Sequence, residues 1–252
     1  MKRIACILAF MLSVVTGCGA KVERYAVEVA ARYPHDRTAY TQGLFFRGAE
    51  LIESTGGYGN SALRVVDLQT GKASKTVSFK GKYFGEGSVI FADALYVLTW
   101  TNKLVFVYDP QTLEYRKSFS YPREGWGLTT DGECLIASDG SARLFFMDEN
   151  LAVKRTLDVK MDGRSVHRLN ELEYIDGRIW ANVYLSDLIV IIDPSNGHVC
   201  ATVDCTGLLP AKLRRPDTDV LNGIAYDCAT GKIYLTGKNW PELYEIRLKP
   251  LK

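Results

Sequence analysis

The residue in this sequence best suited to chemistry is Glu86, in the run Phe84-Gly85-Glu86-Gly87. A carboxylate beside Phe84 and close to Trp100 and Trp126 loses hydration, which favours its neutral form and lets it take up and return a proton. The plainer role is a buried carboxylate bonding backbone N–H groups, and spacing alone weighs the two equally. Glu171 holds the equivalent place in a later segment and reads as structural. Lys238, in Thr236-Gly237-Lys238-Asn239-Trp240, is ordinarily a solvated lysine; next to Glu86 it would stabilise negative charge developing on a substrate oxygen. Trp100 and Trp126 fall at expected strand ends, where rings line a cavity mouth more often than elsewhere, although core packing is the usual fate of an aromatic. A zinc centre is poorly supported, because His35, His167 and His198 stand at unrelated spacings and there is no Cys-x-x-Cys pair.

The elements that must position these residues are repetitive. Phe84-Gly85-Glu86-Gly87 has counterparts in Thr41-Gln42-Gly43-Leu44, Gly125-Trp126-Gly127-Leu128, Asn170-Glu171-Leu172-Glu173 and Leu221-Asn222-Gly223-Ile224. Aligned on Gly43, Gly87, Gly127, Leu172 and Gly223, they recur at intervals of 44, 40, 45 and 51 residues. A period of that length carried by strand-like sequence marks a propeller. The first repeat illustrates the unit, with strands over 41–46, 50–54, 62–67 and 74–79. In the first four repeats the third strand ends at Asp67, Asp109, Asp148 or Asp193, where a carboxylate can bond the turn backbone. The fifth repeat supplies strands over 223–226, 232–236 and 243–248 but no outer strand, and the strand-like run 25–33 fits the gap. The expected fold is therefore all-β, a five-bladed β-propeller with four-stranded antiparallel blades in which the N-terminal strand completes the last blade. A two-sheet sandwich suits the long regular period less well.

Connectivity then sorts the loops by face. Antiparallel neighbours reverse direction, so an inner strand starts at the end of the disc where the second strand finishes. Gln42, Glu86, Trp126 and Asn170 lie at inner-strand starts; Trp100, Tyr184 and Lys238 lie at second-strand ends. All converge on one face, with the insertion 206–220 as a rim.

The chain has 252 residues, with 31 basic and 29 acidic ones interspersed, and no basic stripe beyond Lys212, Arg214 and Arg215. Nucleic acid is not an expected partner. Lys2 and Arg3 precede an apolar run over 4–15 and then Thr16-Gly17-Cys18, the pattern of a secretory signal too short for a stable membrane span. The junction resembles a bacterial lipobox, and lipid attachment to Cys18 is preferred over ordinary signal cleavage. The expected organisation is a signal peptide over 1–17, an anchor and linker over 18–24, and one domain over 25–252, exported to the periplasm or cell surface and tethered to a membrane. Cys134, Cys200, Cys205 and Cys228 then sit where disulfides can form, in any of three complete pairings that the sequence does not rank.

With these segments assembled, the chain closely resembles the glutaminyl-peptide cyclotransferases of plant and bacterial type, the propeller glutaminyl cyclases. The shared motifs are Tyr33-Pro-His-Asp36, Tyr40-Thr-Gln-Gly-Leu44, Phe84-Gly-Glu-Gly87, Leu98-Thr-Trp100, Gly125-Trp-Gly-Leu128, Leu169-Asn-Glu-Leu-Glu173, Trp180-Ala-Asn-Val-Tyr184, Asp219-Val-Leu-Asn-Gly-Ile224 and Thr236-Gly-Lys-Asn-Trp240, in order. The resemblance implies conversion of an N-terminal glutaminyl residue of peptides or exported proteins to pyroglutamyl, with release of ammonia. It implies Glu86 as general acid and base and Lys238 as helper at the oxyanion. Gln42 and Asn170 would bind the substrate's polar groups, and Tyr40, Phe84, Trp100, Trp126 and Tyr184 would form an aromatic wall. It implies no cofactor for catalysis and a monomer. It leaves room for a structural divalent ion, calcium for example, on the axis, which no acidic cluster in the sequence establishes. Two positions depart from the family pattern: Tyr184 replaces a Trp and Tyr40 a Phe, which bears on substrate preference and not on the shuttle. Two competing functions use the same mouth: a noncatalytic propeller that binds peptides or glycans, and a metal-dependent propeller hydrolase.

Overall fold

The structure, a computed structural model, describes residues 21–251; Cys18 and the signal segment lie outside the described residues. After β1 (Glu23–Pro34), the first repeat forms β2 (Thr41–Arg47), β3 (Glu50–Thr55), β4 (Ala62–Val66) and β5 (Ala73–Ser78). The second forms β6 (Gly85–Phe91), β7 (Ala94–Thr99), β8 (Leu104–Tyr108) and β9 (Tyr115–Ser120), and the third β10 (Leu128–Thr130), β11 (Leu135–Ala137), β12 (Arg143–Met147) and β13 (Val153–Asp158). A two-stranded hairpin, β14 (Lys160–Met161) and β15 (Arg164–Ser165), intervenes without a counterpart in the repeats expected from sequence. Then come β16 (Leu169–Ile175), β17 (Arg178–Val183), β18 (Leu188–Ile192) and β19 (Val199–Asp204), and last β20 (Leu221–Asp227), β21 (Lys232–Gly237) and β22 (Glu242–Pro250).

Sequence explains the layering. Third strands such as Leu-Val-Phe-Val-Tyr and Leu-Ile-Val-Ile-Ile are apolar on both faces and buried along nearly their whole length, because a sheet packs against each side. Outer strands such as Tyr-Arg-Lys-Ser-Phe-Ser alternate weakly and stay exposed. The apolar side chains collect in clusters between successive sheets, for instance Leu63, Val65 and Phe79 against Leu95, Val97 and Phe106. The expected aspartates close the turns: Asp109 Oδ1 accepts from the Gln111 and Thr112 amides, and Asp67, Asp148 and Asp193 act alike.

The first three repeats are separate four-stranded sheets, while β1 and the strands from β16 onward make an eight-stranded sheet ordered β16-β17-β18-β19-β1-β22-β21-β20. β1 pairs antiparallel with β22 from Tyr25↔Pro250 to Pro34↔Glu242, as the run over 25–33 led us to expect. It also pairs parallel with β19 over Glu23↔Ala201 to Ala26↔Asp204, which the repeat pattern did not foretell. One strand thus bridges the last two repeats and pairs the first described strand with the last. The inner strands β2, β6, β10, β16 and β20 adjoin one another in a closed cycle. Their approach needs small residues: a Cβ on Gly127 would lie 1.9 Å from the Asn170 carbonyl oxygen.

Candidate active site

Three of the polar residues singled out by sequence sit in breaks of strand register. The shift falls between Thr41 and Gly43 in β2, between Gly85 and Ser88 in β6, and between Leu169 and Leu172 in β16, so Gln42, Glu86 and Asn170 occupy bulges. A bulge bends its strand and re-aims a side chain, which here turns inner-strand residues toward the mouth. β20 carries the same irregularity at Asn222, whereas the third repeat delivers Trp126 from the segment before β10.

Each bulge is pinned by the neighbouring repeat. Ser54 Oγ donates to the Glu86 carbonyl at 2.6 Å and Ser138 Oγ to the Asn170 carbonyl at 2.7 Å. The Gly87 amide donates to the Trp126 carbonyl at 2.7 Å, and the Gly223 amide to Asn182 Oδ1 at 3.0 Å. Asn222 Nδ2 bonds the Thr41 carbonyl at 2.9 Å and Gln42 Oε1 at 3.2 Å. That last contact fixes the Gln42 amide, whose Nε2 then donates to Glu86 Oε1 at 3.0 Å.

Tyr40, Gln42, Phe84, Glu86, Trp100, Trp126, Asn170, Tyr184 and Lys238 line one cavity of about 190 Å³, so all nine residues expected at the site come together. That is below the ~300–1,000 Å³ usual for drug-sized ligands and suits a single terminal residue. The rings meet edge to face: Phe84 lies 5.5 Å from Trp100 and 6.1 Å from Tyr40, and Trp126 lies 5.5 Å from Tyr184. Gly56 makes room for Phe84, since a Cβ there would fall 2.2 Å from the ring.

Glu86 is 4% exposed. Burial pushes its carboxyl well above the ordinary range; Lys238 opposes this and the Glu124 charge adds to it. Lys238 is 3% exposed, with Nζ 4.9 Å from the Tyr40 ring centre and 4.8 Å from that of Tyr184. Burial lowers its pKa, against the pull of Glu86 and Asp219. Asn170 keeps Oδ1 buried with no hydrogen-bond partner among the described residues, an acceptor open to an incoming N–H.

Glu171 behaves as expected of a structural carboxylate, accepting from the Leu44 amide at 3.4 Å and the Ile224 amide at 2.9 Å. Glu173, to which the sequence pattern assigns no role, accepts from the Tyr226 amide at 3.0 Å, and burial raises its pKa to about 8. Two further residues at the site were missed. Asp219, in the insertion, accepts from the Tyr40 hydroxyl at 2.7 Å; its only signal was its place at the head of the 219–224 motif. Glu124 accepts from the Trp100 indole at 2.8 Å and the Trp126 indole at 3.2 Å, and its signal was adjacency to Gly125-Trp126. Behind the site His35 bridges the Trp240 carbonyl and Glu53, and Glu53 also accepts from Thr41 Oγ1, tying the Lys238 loop to the start of β2.

A family model described as glutamine cyclotransferase matches residues 3–248. The chain belongs to the glutamine cyclotransferase family. The glutaminyl-peptide cyclotransferase of Arabidopsis thaliana is 42% identical over 228 residues, which is 88% of this chain and 71% of the relative. The crystal structure of Myxococcus xanthus glutaminyl cyclase superposes with a TM-score of 0.86 at 34% identity, covering 92% of this chain and 100% of that one. In this family member the Tyr at position 40 uses its hydroxyl to bind Asp219, a contact that a Phe could not make. Tyr184 packs on Trp126 and under Lys238. Glu171, on the inner strand β16, spends both oxygens on backbone amides, and among the described residues no group of three or more His, Cys, Asp or Glu could hold a metal ion. Cys134, Cys205 and Cys228 form no disulfide among the described residues.

Proposed function

We propose that this cyclotransferase converts an N-terminal glutaminyl residue to pyroglutamyl with release of ammonia, and that Glu86 moves the proton. The observation that carries the reading is the contrast between two buried carboxylates. Glu171 has both oxygens bonded to backbone amides, whereas Glu86 takes one bond from Gln42 and, among the described residues, has no partner for Oε2 on the cavity wall. The α-amine nitrogen attacks the side-chain carboxamide carbon, forming the ring C–N bond while Glu86 accepts the amine proton. Negative charge gathers on the carboxamide oxygen, where the Lys238 ammonium stabilises it. As the C–NH2 bond breaks, Glu86 returns the proton to the departing nitrogen, which leaves as ammonia. Asn170 Oδ1 is an acceptor for the attacking amine, and Gln42 steers Glu86. Holding both reacting groups of one residue in a narrow cavity supplies much of the acceleration, since well-oriented intramolecular reactions reach effective molarities of ~10⁵ M or more.

The closed cycle of inner strands, with β1 supplying a fourth strand beside β22, supports a five-bladed propeller. One chain supplies all nine cavity residues, so the site as drawn needs no residue from a partner subunit, which is consistent with a monomer. Lys2, Arg3, the apolar run and Cys18 support export and lipid attachment to a bacterial membrane, with peptides or exported proteins bearing N-terminal Gln as substrates. The proposed shuttle uses side chains alone, which supports catalysis without a metal. Incubating the protein with a Gln-initiated peptide, with and without a chelator, tests this reading. Ammonia release unaffected by the chelator is expected; release abolished by it would assign a metal-dependent hydrolase, and binding without release a noncatalytic propeller.

A further inference from the structure

Two indoles of the aromatic wall end on a single oxygen. Trp100 Nε1 donates to Glu124 Oε2 at 2.8 Å, and Trp126 Nε1 donates to the same atom at 3.2 Å. The two rings come from different repeats, one just past β7 and one just before β10, and Trp100 is 36% exposed. Burial alone does not fix such a ring, because an exposed indole samples several rotamers at little cost. The backbone beneath Glu124, by contrast, is held: the Gly125 amide donates to the Thr99 carbonyl at 3.1 Å and the Trp126 amide to the Ser138 carbonyl at 3.2 Å. Glu124 thus presents a charged acceptor from a fixed point, and charge-assisted hydrogen bonds are stronger than neutral ones. Its side chain forms no ion pair among the described residues and bonds nothing except the two indoles.

We propose that Glu124 is a positioning residue for the reaction: by taking both indole N–H groups on one carboxylate oxygen, it locks Trp100 and Trp126 into the wall and sets the width of the cavity mouth. It touches no reacting atom. The inference rests on the site assignment above and adds a residue to it. An electrostatic consequence accompanies the geometric one. The groups facing Glu86 are Lys238, Gln42, the Tyr40 and Tyr184 phenols and, at longer range, Glu124, whose negative charge makes Glu86 harder to ionise.

Two substitutions separate the clamp from the charge. Glu124→Ala removes both. Trp180 and Trp240 are buried, so the quencher-accessible tryptophan fluorescence comes from Trp100 and Trp126. In Glu124→Ala, acrylamide quenching should rise and kcat/KM fall by about tenfold, mainly through KM, because loosened walls misplace the substrate. Glu124→Gln keeps an acceptor oxygen without the charge. Quenching and KM should return toward the parent values, while the acidic limb of kcat/KM moves to lower pH as Glu86 loses a like charge. Thermal unfolding of both variants should stay close to the parent, since the side chain is exposed. Quenching and KM unchanged in Glu124→Ala would overturn the proposal, as would a Gln variant indistinguishable from Ala with no shift of the acidic limb. The quenching readout does not depend on which residue moves the proton, so a failed clamp and a failed shuttle give different results.

Discussion

Replacing Lys238 with Met probes the electrostatics of the site with little change of shape. The Lys238 side chain is 3% exposed and its ammonium sits between the Tyr40 and Tyr184 rings, at 4.9 and 4.8 Å from their centres. Methionine keeps most of the stem and removes the charge. Loss of one oxyanion-stabilising donor costs about 10²- to 10³-fold in kcat, or ~2.7–4 kcal/mol. The cation–π attraction that disappears with the ammonium is worth ~0.5–2 kcal/mol, against an effective penalty of several kcal/mol for burying an ion. The variant should therefore unfold at the same temperature or higher while turning over far more slowly. The pH profile gives an independent sign. The acidic limb of kcat/KM requires ionised Glu86 and the neutral substrate amine; the amine is common to both proteins, so any difference reports Glu86. Lys238 lowers the Glu86 pKa, so its loss should move that limb to higher pH, opposite to Glu124→Gln. The basic limb follows deprotonation of Lys238, which burial brings below the usual lysine range, and this limb should vanish. Initial rates of ammonia release from a Gln-initiated peptide, measured across pH, provide the assay. A Met variant retaining kcat within about threefold of the parent, or keeping the basic limb, would refute the role given to Lys238.

Gly56→Ala places a methyl 2.2 Å from Phe84, so the ring must shift into the cavity; KM for a Gln-initiated peptide should rise severalfold with a smaller change in kcat. Glu173 has its pKa raised to about 8 in the folded state by burial, so its contribution to stability is full below the ordinary carboxylate pKa and is lost as pH rises toward about 8. Unfolding free energy from urea titrations should thus fall between about pH 5 and 8, with a slope of up to ~1.4 kcal/mol per pH unit from such a group, and Glu173→Gln should flatten that slope.

The cavity residues were legible because repetition and antiparallel connectivity are both sequence properties. Aligning Gly43, Gly87, Gly127, Leu172 and Gly223 put Gln42, Glu86, Trp126 and Glu171 at equivalent inner-strand starts, with Asn170 next to Glu171, and strand direction brought Trp100, Tyr184 and Lys238 to the same face. The bulges that turn those side chains toward the mouth were not legible, since a register shift depends on what the partner strand offers; Ser54 and Ser138 hold them from other repeats. Glu124 and Asp219 lie in the segments just before inner strands, where the repeats share position but not residue type, and their importance arises only when indoles or a phenol from elsewhere in the chain converge on them. The missing outer strand predicted that β1 would meet β22. Its parallel contact with β19 follows from the strand starting at Glu23, which lets its first residues reach the neighbouring sheet.

The proposed chemistry turns on one proton carried by one carboxylate. Glu86→Gln keeps the shape of the side chain and an oxygen for Gln42 Nε2, but its amide cannot accept and return a proton. Turnover of a Gln-initiated peptide by this variant, set beside its thermal unfolding, is the most direct measurement. The expected result is a loss of about 10²- to 10⁴-fold in kcat with no loss of stability, because burial already favours the neutral form at this position. A folded Glu86→Gln protein that releases ammonia within about tenfold of the parent rate would contradict it.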